Sequence, residues 1–191
     1  VGIPVWYSVG ILIKFSKPFS IWCQVTTPID IPTAIVFTYL GLSFGDLLSS
    51  LISQWLRSRK KTILYYLITA VLVTTVYITM NNVSDYFFYF MCFLIGSATG
   101  YWALFVSMSA ELFGTNIRAT VTTTIPNFVR GAAIIMTLGY KSLSEQFQEL
   151  TPYPKNTAAL VVGVICFSLA AYGIYKIRDT YNKELDYVET V

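Results

Sequence analysis

Two charged residues sit inside long apolar runs, Asp46 in 31–56 and Arg130 in 119–140. A charge at mid-membrane costs roughly 2.5–3.5 kcal/mol on insertion scales, so such residues face a cavity or a partner. A carboxylate and a guanidinium placed this way can bind opposite charges on a solute, carry a proton, or pair with each other and fix helix packing. Asp46 lies eleven residues before Arg57 and Arg130 twelve after Arg118, about 16 and 18 Å along their helices from the same side. Both therefore fall near one level, where they either pair directly or face one polar cavity.

Their neighbours favour a lined cavity. Tyr39 precedes Asp46 by seven residues and shares its helical face, and Thr123, Asn127 and Arg130 share another at i, i+4, i+7. Pro126 removes a backbone donor between them, and interrupted helices often border transport sites. Burial raises a carboxyl pKa, which makes Asp46 a candidate proton carrier, while Arg130 would attract an anionic or hydroxylated solute with Asn127, Tyr39 and Trp102 as hydrogen-bonding or stacking partners. Gly41 and Gly45, and again Gly96 and Gly100, have the four-residue spacing that lets helices approach closely.

Catalytic chemistry has few parts to work with. There is no histidine, which removes the commonest general base and transition-metal ligand. There is also no Gly-x-Ser-x-Gly elbow and no pair of membrane carboxylates. Cys23, Cys92 and Cys166 fit no metal or redox spacing. Cys92 and Cys166 read as small core hydrophobes, and Cys23 as a free thiol in an outside loop. No enzyme activity, cofactor or metal is expected.

The elements that must hold these residues are membrane helices. Only 12% of the 191 residues are charged and 55% are hydrophobic, whereas a soluble domain carries roughly 25% charge. Punctuation by charges gives six spans, at about 1–16, 31–56, 62–84, 86–110, 118–140 and 156–176, with a solvated tail at 177–191. The first is short, and the chain opens without Met inside an apolar run, which reads as a piece cut within or just before a helix. Residues 19–30 and 141–155 read as loops, and the uncharged third and sixth spans as lipid-facing scaffold. Apolar runs this long favour helices over a barrel.

Arg57, Arg59, Lys60, Lys61, Arg118, Lys176, Arg178 and Lys183 fall on one side, against Lys14, Lys17, Lys141 and Lys155 on the other. Eight against four places the basic side and the C-terminus in the cytoplasm. A net charge of +3 spread between apolar runs does not suggest a nucleic-acid partner. Trp6, Tyr7, Trp22, Trp55, Tyr86, Tyr140 and Tyr175 lie near span ends and read as an interfacial aromatic belt.

Two stretches resemble the major facilitator superfamily, in its C-terminal six helices. Gly45-Asp46-Leu47 through Arg57-Ser58-Arg59-Lys60-Lys61 looks like the loop between its helices eight and nine, although Ser53-Gln54 and Ser58 stand where an acidic residue and Gly are usual. Gly100-Tyr101-Trp102 followed by Glu111-Leu112-Phe113-Gly114-Thr115-Asn116-Ile117-Arg118 resembles the Glu-x-x-Pro-x-x-x-Arg signature after helix ten of sugar porters and metabolite:proton symporters, with Gly114 in place of Pro. Pro126 to Gly131 looks like helix eleven of bacterial members, and Gly2 to Tyr7 like helix seven.

The resemblance implies an all-α integral membrane protein of six transmembrane helices, the C-terminal half of a rocker-type carrier in a bacterial inner membrane. A missing N-terminal six-helix half would be its partner, with a small organic solute as cargo, moved either with a proton as the coupling ion or by facilitated transport. Helices seven, eight, ten and eleven would line the site. Arg57, Arg59, Glu111 and Arg118 would form a cytoplasmic gate. A structural or assembly subunit of the membrane, with Asp46 and Arg130 purely architectural, is the competing expectation.

Overall fold

The computed structural model describes residues 1–181; Lys183 and the rest of the expected tail, 182–191, lie outside them. The described residues are helical almost throughout, with no strand among them. A short helix α1 (Ile3–Tyr7) runs into a π-helical turn (Ser8–Ile13) and then α2 (Ser16–Trp22). There follow α3 (Ile31–Leu56), α4 (Arg59–Thr79), α5 (Asp85–Thr99), α6 (Trp102–Glu111), α7 (Thr115–Gln146) and α8 (Pro154–Lys176).

Local chemistry sets the boundaries. Asp30 caps α3 by accepting from the Thr33 amide at 3.0 Å, and Pro32 sits in the first turn, where a missing N–H is harmless. Arg57 ends α3 in the left-handed conformation, φ 48°. Ser58 caps α4 at once, accepting from the Lys61 amide at 3.1 Å, so the two helices turn back in two residues. Ser84 caps α5 in the same way.

Among the described residues four helices are long and apolar enough to cross a membrane: α3, α4, the α5–α6 unit from Asp85 to Glu111, and α8. At 21–27 residues each matches a hydrocarbon core of about 30 Å. Two of the six expected spans fall short. Ile3–Ile13 is apolar but brief, and α7, with 32 residues, carries Thr120, Thr123, Thr124, Asn127 and Arg130 along its exposed surface, which lowers its hydropathy.

Other boundaries move as well. Residues 19–22 of the expected loop belong to helix α2, α4 ends at Thr79, and α7 continues through 141–146. The expected fourth span is broken at Gly100–Tyr101, whereas Pro126 does not break α7. Cys23 is a free thiol in the turn that follows α2, but it is fully buried, its Sγ 3.8 Å from the Tyr77 carbonyl. Trp55, Tyr86 and Tyr175 are exposed as interfacial anchors would be, but Tyr7 and Tyr140 are core residues. The Tyr7 hydroxyl donates to the Ala159 carbonyl at 2.8 Å.

Two apolar clusters hold the bundle together. One gathers Tyr7, Leu12, Phe19, Tyr77, Phe88 and Ala159; the other, nearer the basic end, gathers Ile63, Leu67, Tyr101, Leu104 and Ile174. The closest helix contact is α3 against α5. A Cβ added at Gly41 would lie 2.0 Å from the Phe93 carbonyl oxygen, and one at Gly96 2.0 Å from that of Thr38. Only glycine admits backbones so near. At Gly100 an added Cβ would meet Gly45 Cα at 2.6 Å and the Asp46 nitrogen at 2.8 Å. The crossing that the glycine spacing predicts thus ends beside Asp46.

Candidate functional site

The break at Gly100–Tyr101 determines how Asp46 is held. Gly100 packs on Gly45 and leaves helical geometry at φ −77°, ψ 63°, so α6 starts afresh at Trp102. The amides of a helix's first turn have no internal acceptor, and that end carries partial positive charge. Asp46 Oδ1 accepts from the Ala103 amide in that turn at 3.0 Å. The carboxylate of α3 therefore serves as a cap for a helix that begins inside the bundle. Tyr66 steadies the same place, its hydroxyl donating to the Gly45 carbonyl at 3.0 Å.

Asp46 faces a hollow of about 330 Å³ lined by α1, its π-helical turn, α3, α6 and α7. Its polar and aromatic wall consists of Trp6, Tyr39, Ser43, Asp46, Trp102 and Arg130; Val5, Val9 and Leu42 supply an apolar wall. Trp6 and Trp102 meet edge to face at 6.1 Å between ring centroids. The Arg130 guanidinium lies over the Trp6 ring at 5.9 Å, within cation–π range, and donates to Asn127 Oδ1 at 3.3 Å. Among the described residues no ion pair joins Asp46 to Arg130. Acid and base share one hollow on different helices, and each is supported by neutral groups.

Of the expected pathway residues, Tyr39, Asp46, Trp102 and Arg130 line the hollow. Asn127 does not: it holds Arg130 and faces an open groove with Thr123, Phe128 and Gly131. Trp6, Ser43 and the Gly100 break are further parts of the site. Trp6 reads from sequence as a belt residue on the stretch that resembles helix seven, and nothing in its sequence neighbourhood places it against Arg130. Its indole N–H is buried with no acceptor among the described residues. Neither α4 nor α8 contributes to the lining, and both expose apolar side chains such as Leu72 and Val164.

The basic end is organised differently. Arg59, at the start of α4, donates to and ion-pairs with Glu111 at the end of α6. Thr180 donates to the other Glu111 oxygen at 2.7 Å. Asp179 accepts from the Ser58 hydroxyl, from the Arg59 amide at 3.1 Å and from the Tyr181 amide at 3.2 Å. Burial pushes the Asp179 carboxyl up, but the bonds from Ser58, Tyr181 and Arg59 outweigh it and hold the group below the usual carboxylate range. Lys60 donates to the carbonyls of Tyr175 and Ile177, and Arg118 to those of Ala110 and Phe113, covering the exposed ends of α8 and α6.

Of the four expected gate residues, Arg59 and Glu111 meet directly, and Arg118 joins through backbone. Arg57 is exposed and, among the described residues, makes no bond to this cluster. Ser58, Lys60, Asp179 and Thr180 complete it. Asp179 and Thr180 fall in what reads from sequence as a solvated tail. The chain matches no family of known proteins, no curated protein and no solved structure.

Proposed function

We propose that the chain works in secondary transport, as the C-terminal six-helix half of a major-facilitator-type carrier. It would move a small organic solute (a sugar, an organic acid or a related metabolite) across a bacterial inner membrane by alternating access. The observation that carries this reading is the hollow itself, where Asp46 and Arg130 stand near mid-bundle without pairing. Lipid does not tolerate a bare acid and base at that depth, and a solute or water meeting them does. Trp6, Tyr39 and Trp102 give such a solute rings to stack on, and the apolar wall shields it from water.

The other parts fit the same scheme. The end rich in Lys and Arg faces the cytoplasm. The Arg59–Glu111 pair, with Arg118 and the residues after α8, ties the cytoplasmic ends of α4, α6, α7 and α8 together. A partly exposed pair of this kind is individually weak enough to open in each cycle. A proton is the proposed coupling ion and Asp46 its carrier. A second six-helix half is the proposed partner that closes the open side of the hollow.

Uptake into proteoliposomes containing the full-length protein, under an imposed pH gradient, tests this. Solute flux that disappears in Arg130→Gln and no longer follows the gradient in Asp46→Asn is the expected result. Flux unchanged in the double variant would make the two residues architectural and favour an assembly subunit instead.

A further inference from the structure

Resting on that transport reading, we propose that the solute held in the hollow is a small zwitterion, its ammonium group at Asp46 and its carboxylate at Arg130. The two side chains occupy separate walls of one cavity, on α3 and α7, and do not reach each other. Asp46 has one oxygen on the Ala103 amide, and Arg130 has one contact to a neutral amide and one to the Trp6 ring. Neither charge has a counter-charge among the described residues.

Each solute class leaves a different remainder when the hollow closes. An anion neutralises Arg130 and strands Asp46; a cation does the reverse. A neutral polyol can hydrogen-bond to both and neutralises neither. Only a dipolar molecule matches both, and in a water-poor site an unmatched charge is heavily penalised. The volume of about 330 Å³ is at the lower end for ligand pockets, so the molecule is small. Val5, Val9 and Leu42 line the same hollow and suit methylene groups. A proton and an ammonium group cannot occupy the Asp46 carboxylate together, so Asp46 takes up its proton only when this solute is absent.

The test is calorimetric titration of the full-length protein in detergent. The probes are glycine, β-alanine, γ-aminobutyrate, δ-aminovalerate and ε-aminocaproate, each beside the alkylammonium and alkylcarboxylate of the same chain length. One zwitterion is expected to bind about tenfold or more tighter than both of its singly charged counterparts, the loss of one charge-assisted hydrogen bond. Asp46→Asn should then reduce it to the affinity of the carboxylate, and Arg130→Gln to that of the ammonium. A series in which no zwitterion outbinds both counterparts overturns the proposal. Proteoliposome uptake separates this failure from that of the transport reading. A zwitterion that binds but never crosses sinks transport and leaves the dipolar site standing. A singly charged solute that crosses while no zwitterion binds sinks the dipolar site alone.

Discussion

The hollow and the basic end use the same pair of chemical groups in opposite ways. At the basic end Arg59 meets Glu111, and Ser58, Thr180 and backbone amides fill the remaining carboxylate positions of Glu111 and Asp179. In the hollow Asp46 and Arg130 are kept apart, each with a neutral partner. The first arrangement is stabilised by its own contacts. The second leaves both charges without a counter-charge among the described residues, as the proposed binding of a charged solute would require. The lesson is that charge count does not tell the two arrangements apart; whether acid and base meet does.

The comparison breaks most severely at the helix crossing that holds Asp46 in place. Gly96→Leu or Gly100→Leu drives a side chain into the backbone of α3, where an added Cβ already meets atoms at 2.0 and 2.6 Å. Overpacking of this kind costs about 1–3 kcal/mol or more, and facing backbone cannot rotate away, so these variants belong at the top of that range. A thermal melt in detergent is expected to show a large fall in Tm, with loss of any binding in the hollow. Gly131→Ala and Gly139→Ala should do the opposite. Nothing lies within 4 Å of a Cβ at either, and replacing helical glycine by alanine there should add about 0.5–1 kcal/mol. Equal destabilisation at all four positions would show that the α3–α5 approach is not what fixes Asp46.

Neutralising charge gives the next largest contrast. Glu111→Gln leaves Arg59 without its counter-charge and is expected to cost about 1 kcal/mol of stability. The double variant Arg59→Gln/Glu111→Gln should recover part of it, since two neutral amides can bond to each other. Asp46→Asn and Arg130→Gln should leave Tm level or raise it slightly, because no counter-charge is abandoned. Their effect is expected in uptake instead, a fall of about 10- to 100-fold for the loss of one charged contact. If Asp46→Asn lowers Tm as much as Glu111→Gln does, the two regions are the same kind of structure and the proposed site is merely another fastener.

How much of this was legible beforehand follows from what each feature depends on. Asp46, Arg130 and Tyr39 are readable because a charge or polar group stands out against apolar residues and helical spacing then sorts the faces, whereas Trp102 enters only as a stacking partner for the solute. The glycine spacing was readable for the same reason, although only packing reveals which helices it joins. The break at Gly100 was not: Pro126 is the stronger breaker by propensity, yet α7 runs through it, while Gly100 leaves the helix where it presses on Gly45. Trp6 reads as interfacial, since an aromatic near a span end looks identical whether it meets lipid or Arg130. Asp179 was read as solvent-facing because its partners, Ser58 and Arg59, are more than a hundred residues away in sequence. Six spans were read where four meet the length and hydropathy a membrane demands, because a helix with a polar stripe and a brief one are judged by their ends rather than their faces.

The smallest effect expected is the pH dependence of the basic end, and its sign follows from Asp179. Its folded carboxyl lies below the usual carboxylate range, because the Ser58 hydroxyl and the Tyr181 and Arg59 amides favour the charged form over the opposing effect of burial. A group whose pKa is depressed by folding contributes stability that is fully present above its unfolded value, about 3.9 for an aspartate, and is lost as pH falls through the folded value. Wild-type Tm should therefore drop on acidification below about pH 4 more steeply than that of Asp179→Asn, which has no carboxyl to protonate there. Ser58→Ala keeps the carboxylate but removes one donor and the α4 cap, so it should lower Tm at neutral pH and flatten the acid slope at the same time. The hollow has no part in this window, and Arg130→Gln should leave the slope as it is. An acid slope untouched by Asp179→Asn would mean that the residues following α8 do not fasten this end, and the contrast with the hollow would then rest on Arg59 and Glu111 alone.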